Sequence, residues 1–202
     1  MKLKKLIPEL VSGIINAGYD KEPHPIQGLS VPKIKSGADL YIIAPEGAGK
    51  TTAIAIGVIQ QLKKPVEKAP RSLIMVETKD KAFALEEEIK KLSKNTGLRT
   101  FVAFDAGIIQ YQKDMIYEGV DIVIGTPQRL NELISTTGIP LTKVRQFVVD
   151  DLDTFSLNNY ALIYRIADNV EKAQYIMVSN AWKDNFERIT ERIMKGGMII
   201  EA

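Results

Sequence analysis

Short apolar runs bounded by turn-forming residues recur along the 202-residue chain. Runs rich in Val, Ile, Leu and Phe are typical of strands that are buried on both faces of a parallel sheet. Six segments have this character: Leu40–Ala44, Ser72–Val76, Thr100–Phe104, Asp121–Ile124, Gln146–Val149 and Gln174–Ser179. The pattern predicts a buried parallel strand in each of them.

The stretches between these segments show helical periodicity instead. Ala82, Leu85 and Ile89 follow the spacing of an amphipathic helix, and Phe186 and Ile189 repeat it, with charged residues at the positions between. Alternation of strands with crossover helices predicts an α/β fold, a three-layer open parallel sheet with helices on both faces. Because such sheets bind ligands at the carboxyl ends of their strands, functional residues are expected just after the strands.

Composition and charge limit the classes of protein to which the chain can belong. With 45% hydrophobic and 26% charged residues, the chain is ordinary for one soluble globular domain. A net charge of +2 is too small for a strong field toward a polyanion, so any nucleic-acid contact is expected to be local. Cysteine is absent and His24 is the single histidine, which excludes disulfides and leaves almost no ligands for zinc. No apolar stretch is long enough for a signal peptide or a membrane span, so we expect a cytoplasmic protein without a membrane partner.

The most informative segment, Ala44–Thr51, lies between a predicted strand and a predicted helix. In that context a glycine-bearing loop presents the backbone N–H groups around Gly47 and Gly49, and the positive end of the helix, to phosphate oxygens. Lys50 then reaches the β- and γ-phosphates, and the hydroxyl of Thr51 can hold Mg²⁺. The first residue of the segment stands where the strict pattern has a glycine. The loop predicts a nucleotide site, and the alternative is a glycine-bearing turn with a solvated lysine.

An acidic run, Asp150–Asp153, follows the fifth predicted strand. An acidic pair at a strand end complements a phosphate loop, because Asp150 can bind the metal, directly or through water, while Asp151 can accept a proton from the attacking water. By itself the run also fits a solvated turn. Combined with the glycine loop, it predicts metal binding by Thr51 and Asp150 and catalytic roles for Lys50, Asp150 and Asp151.

Further segments occur in the order of the motifs of DEAD-box RNA helicases, and the chain resembles the N-terminal RecA-like domain of that family over nearly its whole length. Gly18–Gln27 resembles the adenine-reading Q motif, with one residue inserted, and Ala44–Thr51 resembles motif I. The resemblance implies a Q-motif-like helical segment over residues 1–36, a phosphate-loop NTPase core over residues 37–202, and ATP with Mg²⁺ as cofactors. Gln27 would hydrogen-bond the adenine base and Tyr19 would pack on it, with core packing as the alternative for Tyr19. The implied nucleotide contacts are those of Tyr19, Gln27, Ala44, Glu46, Gly47, Ala48, Gly49, Lys50, Thr51 and Thr52.

Three other segments resemble RNA-contacting motifs of the family. Glu77–Ala82 resembles motif Ia, Ala106 with Gly107 resembles the glycine doublet, and Thr126–Leu130 resembles motif Ib. RNA is therefore the implied partner, and a structural ion pair is the alternative role for the arginine of motif Ib. The implied contacts to RNA phosphates are those of Thr78, Lys79, Gly107, Thr126 and Arg129.

Coupling of hydrolysis to strand separation belongs, in the family, to a Ser-Ala-Thr motif that Ser179–Ala181 resembles. Asp153 is expected to bridge to Ser179. Asn180 puts an amide where alanine is usual, and Ala181 lacks the hydroxyl of the third position. Coupling is therefore expected to be weak.

Other departures from the family pattern also point to weak chemistry. Asp151 replaces the catalytic glutamate and is one methylene shorter, Ala106 hinders close approach of a phosphate, and Lys79 offers a point charge in place of an arginine fork. The family closes two RecA-like domains over ATP and RNA, and the second supplies an arginine finger worth about 10³ to 10⁵ in rate. This chain stops at Ala202, where the first domain would end. Weak or no hydrolysis is expected in isolation, with a second RecA-like domain, in the same chain or another, as a partner.

Two other functions stay open at this point. The chain fits a non-catalytic, degenerate helicase-like scaffold that binds RNA or protein. It also fits an unrelated phosphate-loop NTPase, in which the segment from Gly18 to Gln27 would have no role.

Overall fold

The computed structural model describes residues 2–66, 68–170, 172–194 and 196–202. Its strands are β1 (Leu40–Ile43), β2 (Ser72–Met75), β3 (Thr100–Ala103), β4 (Ile122–Gly125), β5 (Gln146–Val149), β6 (Gln174–Ser179) and β7 (Met198–Glu201). Its α-helices are α1 (Pro8–Asn16), α2 (Pro25–Ser36), α3 (Lys50–Leu62), α4 (Lys79–Ser93), α5 (Ile109–Gly119), α6 (Pro127–Ser135), α7 (Leu157–Ala167) and α8 (Phe186–Arg192). Short 3-10 helices span Leu3–Lys5 and Leu152–Thr154.

The strands form one sheet in the order β3-β4-β2-β5-β6-β1-β7, and all neighbouring pairs are parallel. This arrangement confirms the predicted α/β fold with an open parallel sheet. The six predicted strands are all present, with ends that differ by at most one residue. For example, β4 begins at Ile122, and the carboxylate of Asp121, just outside the strand, pairs with Arg71 and Arg99.

The sequence pattern does not predict β7. This strand lies at the edge of the sheet beside β1, and three of its four residues are exposed. An exposed edge strand lacks the buried run that marks the other six, so it becomes recognisable only once β1 is in place to pair with it.

Successive residues of each strand face opposite sides of the sheet, and each side has its own apolar cluster. Leu40 and Ile42 belong to the cluster that α1 to α4 cover, whereas Tyr41 belongs to the cluster that α5 to α8 cover. Helices on both faces complete the three layers that were expected. None of the helices in the described ranges is long and apolar enough to cross a membrane.

The two helices before β1 dock through close approaches at glycines. Gly13 of α1 lies so close to α4 that a Cβ there would be 2.0 Å from the carbonyl oxygen of Leu92. Gly57 of α3 lies under α2, where a Cβ would be 2.6 Å from Ile34 Cδ1. The segment that joins α1 to α2 is thereby held beside the loop that follows β1.

The approach at Gly13 predicts a large effect of a single methyl group. In Gly13→Ala the new methyl would overlap a backbone carbonyl, and α1 would have to move away from α4. We expect this variant to lose about 1 to 3 kcal/mol of unfolding free energy, measured by urea denaturation. The matched control is Ser12→Ala in the exposed part of the same helix, which should change stability by less than about 0.5 kcal/mol. Equal stability of the two variants would contradict this account of the docking.

Candidate functional site

The loop between β1 and α3 bends at two glycines. Gly47 and Gly49 have φ angles of 79° and 84°, a left-handed conformation that residues with a Cβ rarely adopt. Gly49 also lies against the start of α2, because a Cβ there would approach Gln27 Nε2 to 2.9 Å and His24 Cδ2 to 3.0 Å. The glycine at position 49 therefore serves both the loop and the docking of the N-terminal segment.

Lys50 is the first residue of α3 and is buried, with 6% of its surface exposed. Its ammonium donates hydrogen bonds to the carbonyl oxygens of Ala44 (2.7 Å) and Pro45 (2.9 Å) and to Oδ1 of Asn180 (2.8 Å). Three neutral acceptors thus match the three donors of the ammonium group. Because none of these acceptors carries a charge, Lys50 keeps its full positive charge for an anion such as phosphate.

Asn180 connects Lys50 to the acidic run after β5. Its backbone N–H and its Nδ2 donate to the two carboxylate oxygens of Asp153, at 3.0 and 3.2 Å. The hydroxyl of Ser179 donates instead to the carbonyl oxygen of Ala181 at 3.0 Å. The expected bridge between Asp153 and Ser179 is therefore wrong for this conformation, because Asn180 offers two donors to the carboxylate while the serine hydroxyl turns back to its own chain.

Asp150 follows β5 and is buried beside the loop. Its Oδ2 lies 3.4 Å from the hydroxyl of Thr51, and its Oδ1 accepts a hydrogen bond from the backbone N–H of Asp151 at 3.0 Å. Burial, together with the neighbouring negative charge of Asp151, raises the pKa of Asp150 to about 7. A carboxylate that is costly to ionise by itself suits the binding of a cation.

Asp151 has a left-handed backbone conformation, with φ of 52°, which is uncommon for a residue other than glycine. Its carboxylate forms an ion pair with Lys81 of α4 at 2.8 Å. Burial would lower the pKa of Lys81, but the hydrogen bond and the charge of Asp151 outweigh burial and raise that pKa above its ordinary value. The carboxylate expected to activate water is therefore engaged by a lysine in this conformation.

Gln27 lies in the first turn of α2 and is almost fully buried. Its Oε1 has no hydrogen-bond partner among the described residues. A buried acceptor without a donor costs free energy, and a donor group on a ligand would remove that cost. Gln27 is thus suited to recognise an amino group.

Tyr19 lies between α1 and α2, and its ring packs against the apolar cluster that α1 to α4 cover. Its hydroxyl donates to Glu88 Oε2 at 3.2 Å and accepts from Lys91 Nζ at 2.9 Å, and the same ammonium lies 4.4 Å from the ring centroid. Tyr19 therefore packs against the core and also lines the site.

These groups meet around one cavity of about 810 Å³. Most of the predicted nucleotide-binding residues line it: Tyr19, Gln27, Glu46, Gly47, Gly49, Lys50, Thr51 and Thr52, together with Asp151. Ala44 is buried and contributes its carbonyl oxygen to Lys50, whereas Ala48 packs against the apolar cluster below. Asp150 lines a smaller cavity of about 130 Å³ that shares Thr51 and Asp151 with the first.

The first two of the predicted RNA contacts are exposed at the start of α4, after β2. Thr78 caps this helix, with its hydroxyl oxygen accepting from the backbone N–H of Lys81 at 3.3 Å. The ammonium of Lys79 lies 4.5 Å from the ring centroid of Phe104 and 5.8 Å from that of Phe83. Both Thr78 and Lys79 are accessible to an anionic partner.

Thr126 and Arg129, by contrast, are buried. The hydroxyl of Thr126 donates to Asp105 Oδ2 at 2.9 Å, and the guanidinium of Arg129 donates to the carbonyl oxygens of Asp105 and Gly107. Arg129 also lies 3.5 Å from Glu132, so the ion pair left open for it is present. In this conformation Thr126 and Arg129 shape the loop after β3, and Gly107 belongs to that loop.

A family model described as DEAD/DEAH box helicase matches residues 24–189, which contain the glycine loop, the acidic run and Asn180. The chain belongs to this family. It is 36% identical over 152 residues to the probable ATP-dependent RNA helicase DDX52 of Rattus norvegicus, covering 74% of this chain and 25% of that protein. It is 30% identical over 195 residues to the probable ATP-dependent RNA helicase DDX46 of Danio rerio and of Homo sapiens, covering 92% of this chain and 19% of those proteins. This DEAD-box chain therefore spans a fifth to a quarter of the length of these relatives.

A solved structure has the same fold. A point variant of Saccharomyces cerevisiae Dbp5, bound to Nup159, a Gle1 point variant, IP6 and ADP, matches with a TM-score of 0.87 over 98% of this chain and 52% of that chain. The sequence identity is 19%, so the likeness concerns the RecA-like fold alone. Membership of the DEAD-box family excludes the interpretation as an unrelated phosphate-loop NTPase.

The residues of the DEAD-box site fit Mg²⁺. Within the described ranges, no cluster of three His, Cys, Asp or Glu side chains could hold a metal by itself. Mg²⁺ does not need such a cage, because it keeps several waters and takes further oxygens from phosphates. Asp150 and Thr51, whose oxygens lie 3.4 Å apart, supply one carboxylate and one hydroxyl of the kind that this ion prefers.

Lys81, Glu88 and Asn180 lie in or beside the cavity of about 810 Å³ and were not among the functional candidates of the sequence analysis. Lys81 lies in the motif Ia segment, but its ion pair with Asp151 joins the first turn of α4 to the loop after β5, which the sequence does not show. Glu88 joins the hydroxyl of Thr52 (2.8 Å) to that of Tyr19 (3.2 Å). The sequence pattern does not distinguish it from the solvated charges of the same helix. Asn180 was noticed only as a departure from the motif.

The raised pKa of Asp150 predicts how stability depends on pH. The folded chain holds the Asp150 proton more tightly than the unfolded chain does, so the stabilisation by that proton is lost as pH rises toward about 7. Asp150→Asn stays neutral at every pH. The free energy of unfolding of this variant, relative to that of the parent chain, should therefore increase by roughly 2 to 3 kcal/mol as the pH rises from about 5 to about 8. Urea denaturation in EDTA measures the difference.

Addition of Mg²⁺ and ADP at the higher pH serves as the control for the Asp150 experiment. The cation should stabilise the parent chain more than Asp150→Asn, because only the parent has the carboxylate. Parallel pH profiles of the two chains in EDTA would show that burial does not raise the pKa of Asp150.

Proposed function

We propose that this chain is the ATP- and RNA-binding N-terminal domain of an ATP-dependent RNA helicase. The observation that supports this most directly is that Gln27, Lys50 and Asp151 line one cavity of about 810 Å³, with Asp150 beside it. ATP and Mg²⁺ are the cofactors in this proposal, RNA is the partner, and a second RecA-like domain completes the site.

Gln27 reads the base. Its docking against Gly49 holds the side chain in place, and its unpartnered Oε1 accepts a hydrogen bond from the 6-amino group of adenine. Guanine carries a carbonyl oxygen at that position, which would face Oε1 as a second acceptor, so the same side chain rejects it. The ring of Tyr19 packs beside the base.

The phosphates bind at the start of α3. The ammonium of Lys50 contacts the β- and γ-phosphates, and the N–H groups from Gly47 to Thr51 face the phosphate oxygens. Asp150 and Thr51 hold Mg²⁺, which when bound neutralises phosphate charge. Asp151 orients the attacking water and accepts its proton once Lys81 has released the carboxylate.

Hydrolysis is slow in this domain alone, for two reasons that lie in the chain. Asp151 must leave an ion pair of 2.8 Å with Lys81 before it can orient a water. Its side chain is also one methylene shorter than glutamate, and a base drawn back by about 1 Å loses on the order of 10²-fold in rate. The arginine finger of a second domain would supply a further factor of about 10³ to 10⁵.

RNA binds along the edge of the sheet where the carboxyl ends of the strands lie. Thr78 and Lys79 are exposed and contact its phosphates directly, whereas Gly107 belongs to a loop at this edge and has its own N–H and carbonyl groups bonded to Phe104 and Arg129. Thr126 and Arg129 act by holding the loop that carries Gly107, since both are buried in hydrogen bonds to it.

Titration with fluorescent ATP and GTP analogues tests the nucleotide assignment. Lys50→Ala should lower the affinity for both analogues by about ten- to a hundredfold, because each analogue loses a charged contact to its phosphates. Gln27→Ala should lower mainly the affinity for the ATP analogue, by about tenfold, and so remove the preference for adenine. Gln61→Ala is the matched control, because this glutamine lies near the other end of α3 and lines a different cavity. Binding that is unaffected by Lys50→Ala, or a parent chain without preference for adenine, would contradict the assignment.

A non-catalytic scaffold that binds RNA or protein is the second candidate. The ion pair between Lys81 and Asp151 favours it, because it engages the carboxylate that hydrolysis needs. ATPase assays with saturating RNA, with and without a second RecA-like domain added in trans, separate the two functions. Turnover that RNA and the second domain stimulate supports the helicase. Undetectable turnover despite intact ATP binding supports the scaffold.

A further inference from the structure

Asn180 lies where three functional segments come together. In the sheet, β6 lies between β5 and β1, so the residue that follows β6 is placed between the acidic run and the glycine loop. Asn180 is half-buried and lines the cavity of about 810 Å³. One side chain can therefore contact both neighbouring segments.

The hydrogen bonds of Asn180 determine which way its amide points. Lys50 has only donors, so Oδ1 faces it at 2.8 Å, and an ionised Asp153 only accepts, so Nδ2 faces its carboxylate at 3.2 Å. The backbone N–H of Asn180 adds a bond of 3.0 Å to the same carboxylate. A carboxylate bound to the nitrogen end polarises the amide and strengthens its oxygen as an acceptor. The contact to Lys50 is thus reinforced by Asp153.

Lys50 has no spare donor in this conformation. Its three N–H groups are taken by Ala44, Pro45 and Asn180, so a phosphate can bind the ammonium only by displacing one of them. The carbonyl groups of Ala44 and Pro45 belong to the backbone of the loop itself. Asn180 lines the cavity and holds Lys50 through a side chain, which can change its χ1 rotamer without movement of the backbone. Asn180 is the acceptor that can give way at least cost.

We propose that Asn180 is a positioning residue that holds Lys50 in place of phosphate and must be displaced when a nucleoside diphosphate or triphosphate binds. This inference rests on the proposed function and adds that the amide of Asn180 competes with phosphate for Lys50. An alanine, which is usual at this position in the family, has no acceptor with which to compete. Rotation of the side chain moves Nδ2 away from Asp153 as well, so that phosphate binding leaves this carboxylate with only the backbone N–H of Asn180 as its partner in that residue.

Asn180→Ala tests the competition. We expect ADP and a non-hydrolysable ATP analogue to bind this variant about tenfold more tightly than the parent chain, because phosphate no longer competes with an amide. Adenosine, which has no phosphate, should bind both chains equally. The ratio of the ADP and adenosine affinities is the decisive readout, since a general loosening of the site would change both ligands alike.

The matched control is Asn169→Ala, an exposed asparagine whose side chain donates to the carbonyl oxygen of Arg165, and it should leave the ratio unchanged. An unchanged ratio in Asn180→Ala would overturn the inference and leave the proposed function intact. Failure of the parent chain and of the variant to bind any nucleotide would overturn the proposed function, and this inference with it.

A measurement on the parent chain covers the case in which Asn180→Ala does not fold. With selective ¹⁵N-asparagine labelling, the side-chain amide signal of Asn180 should shift on addition of ADP and not on addition of adenosine. Equal shifts with the two ligands, or no shift with ADP at saturation, would overturn the displacement of Asn180.

Discussion

The seven strands that the described residues form all run in the same direction, so their carboxyl ends meet at one edge of the sheet. The glycine loop after β1, the acidic run after β5 and Asn180 after β6 therefore lie side by side, although the first precedes the other two by about a hundred residues or more in the sequence. Reversal of β6 alone would move Asn180 to the opposite edge and break the connection between Lys50 and Asp153. The direction of the strands is the constraint on which the other features of the site depend.

In this structure, groups of the chain itself are the partners of the charged side chains of the site. Lys50 is satisfied by two carbonyl groups and an amide, and Asp151 is paired with Lys81. Asp150 has a pKa of about 7 and so retains a proton over part of the range near neutral pH. Each of these internal partners occupies a position that the proposed ligands would take: phosphate at Lys50, Mg²⁺ at Asp150 and water at Asp151. Binding would then exchange these internal partners for atoms of the ligand, the metal and water.

The sequence pattern predicted the sheet well, because a strand buried on both faces needs a run of apolar residues that can be seen without its neighbours. It did not predict β7, whose pairing with β1 stabilises a strand that is mostly exposed. It also said nothing of the contact between Gly13 and Leu92 that docks α1, because a glycine within a helix does not show which backbone lies opposite. Among the RNA candidates, Thr126 and Arg129 match a motif equally whether they face solvent or, as here, support a loop.

By itself, the sequence determined the fold class, the position of the glycine loop and the acidic run at strand ends, and the resemblance to the helicase family. Those features are local, because each depends on residues that are neighbours in the chain. Only the tertiary structure decided the partners of Lys50, Asp151 and Asp153. A charged side chain bonds to the groups that packing brings within about 3 Å, and Asn180 and Lys81, the partners named here, follow or belong to elements far away in the sequence.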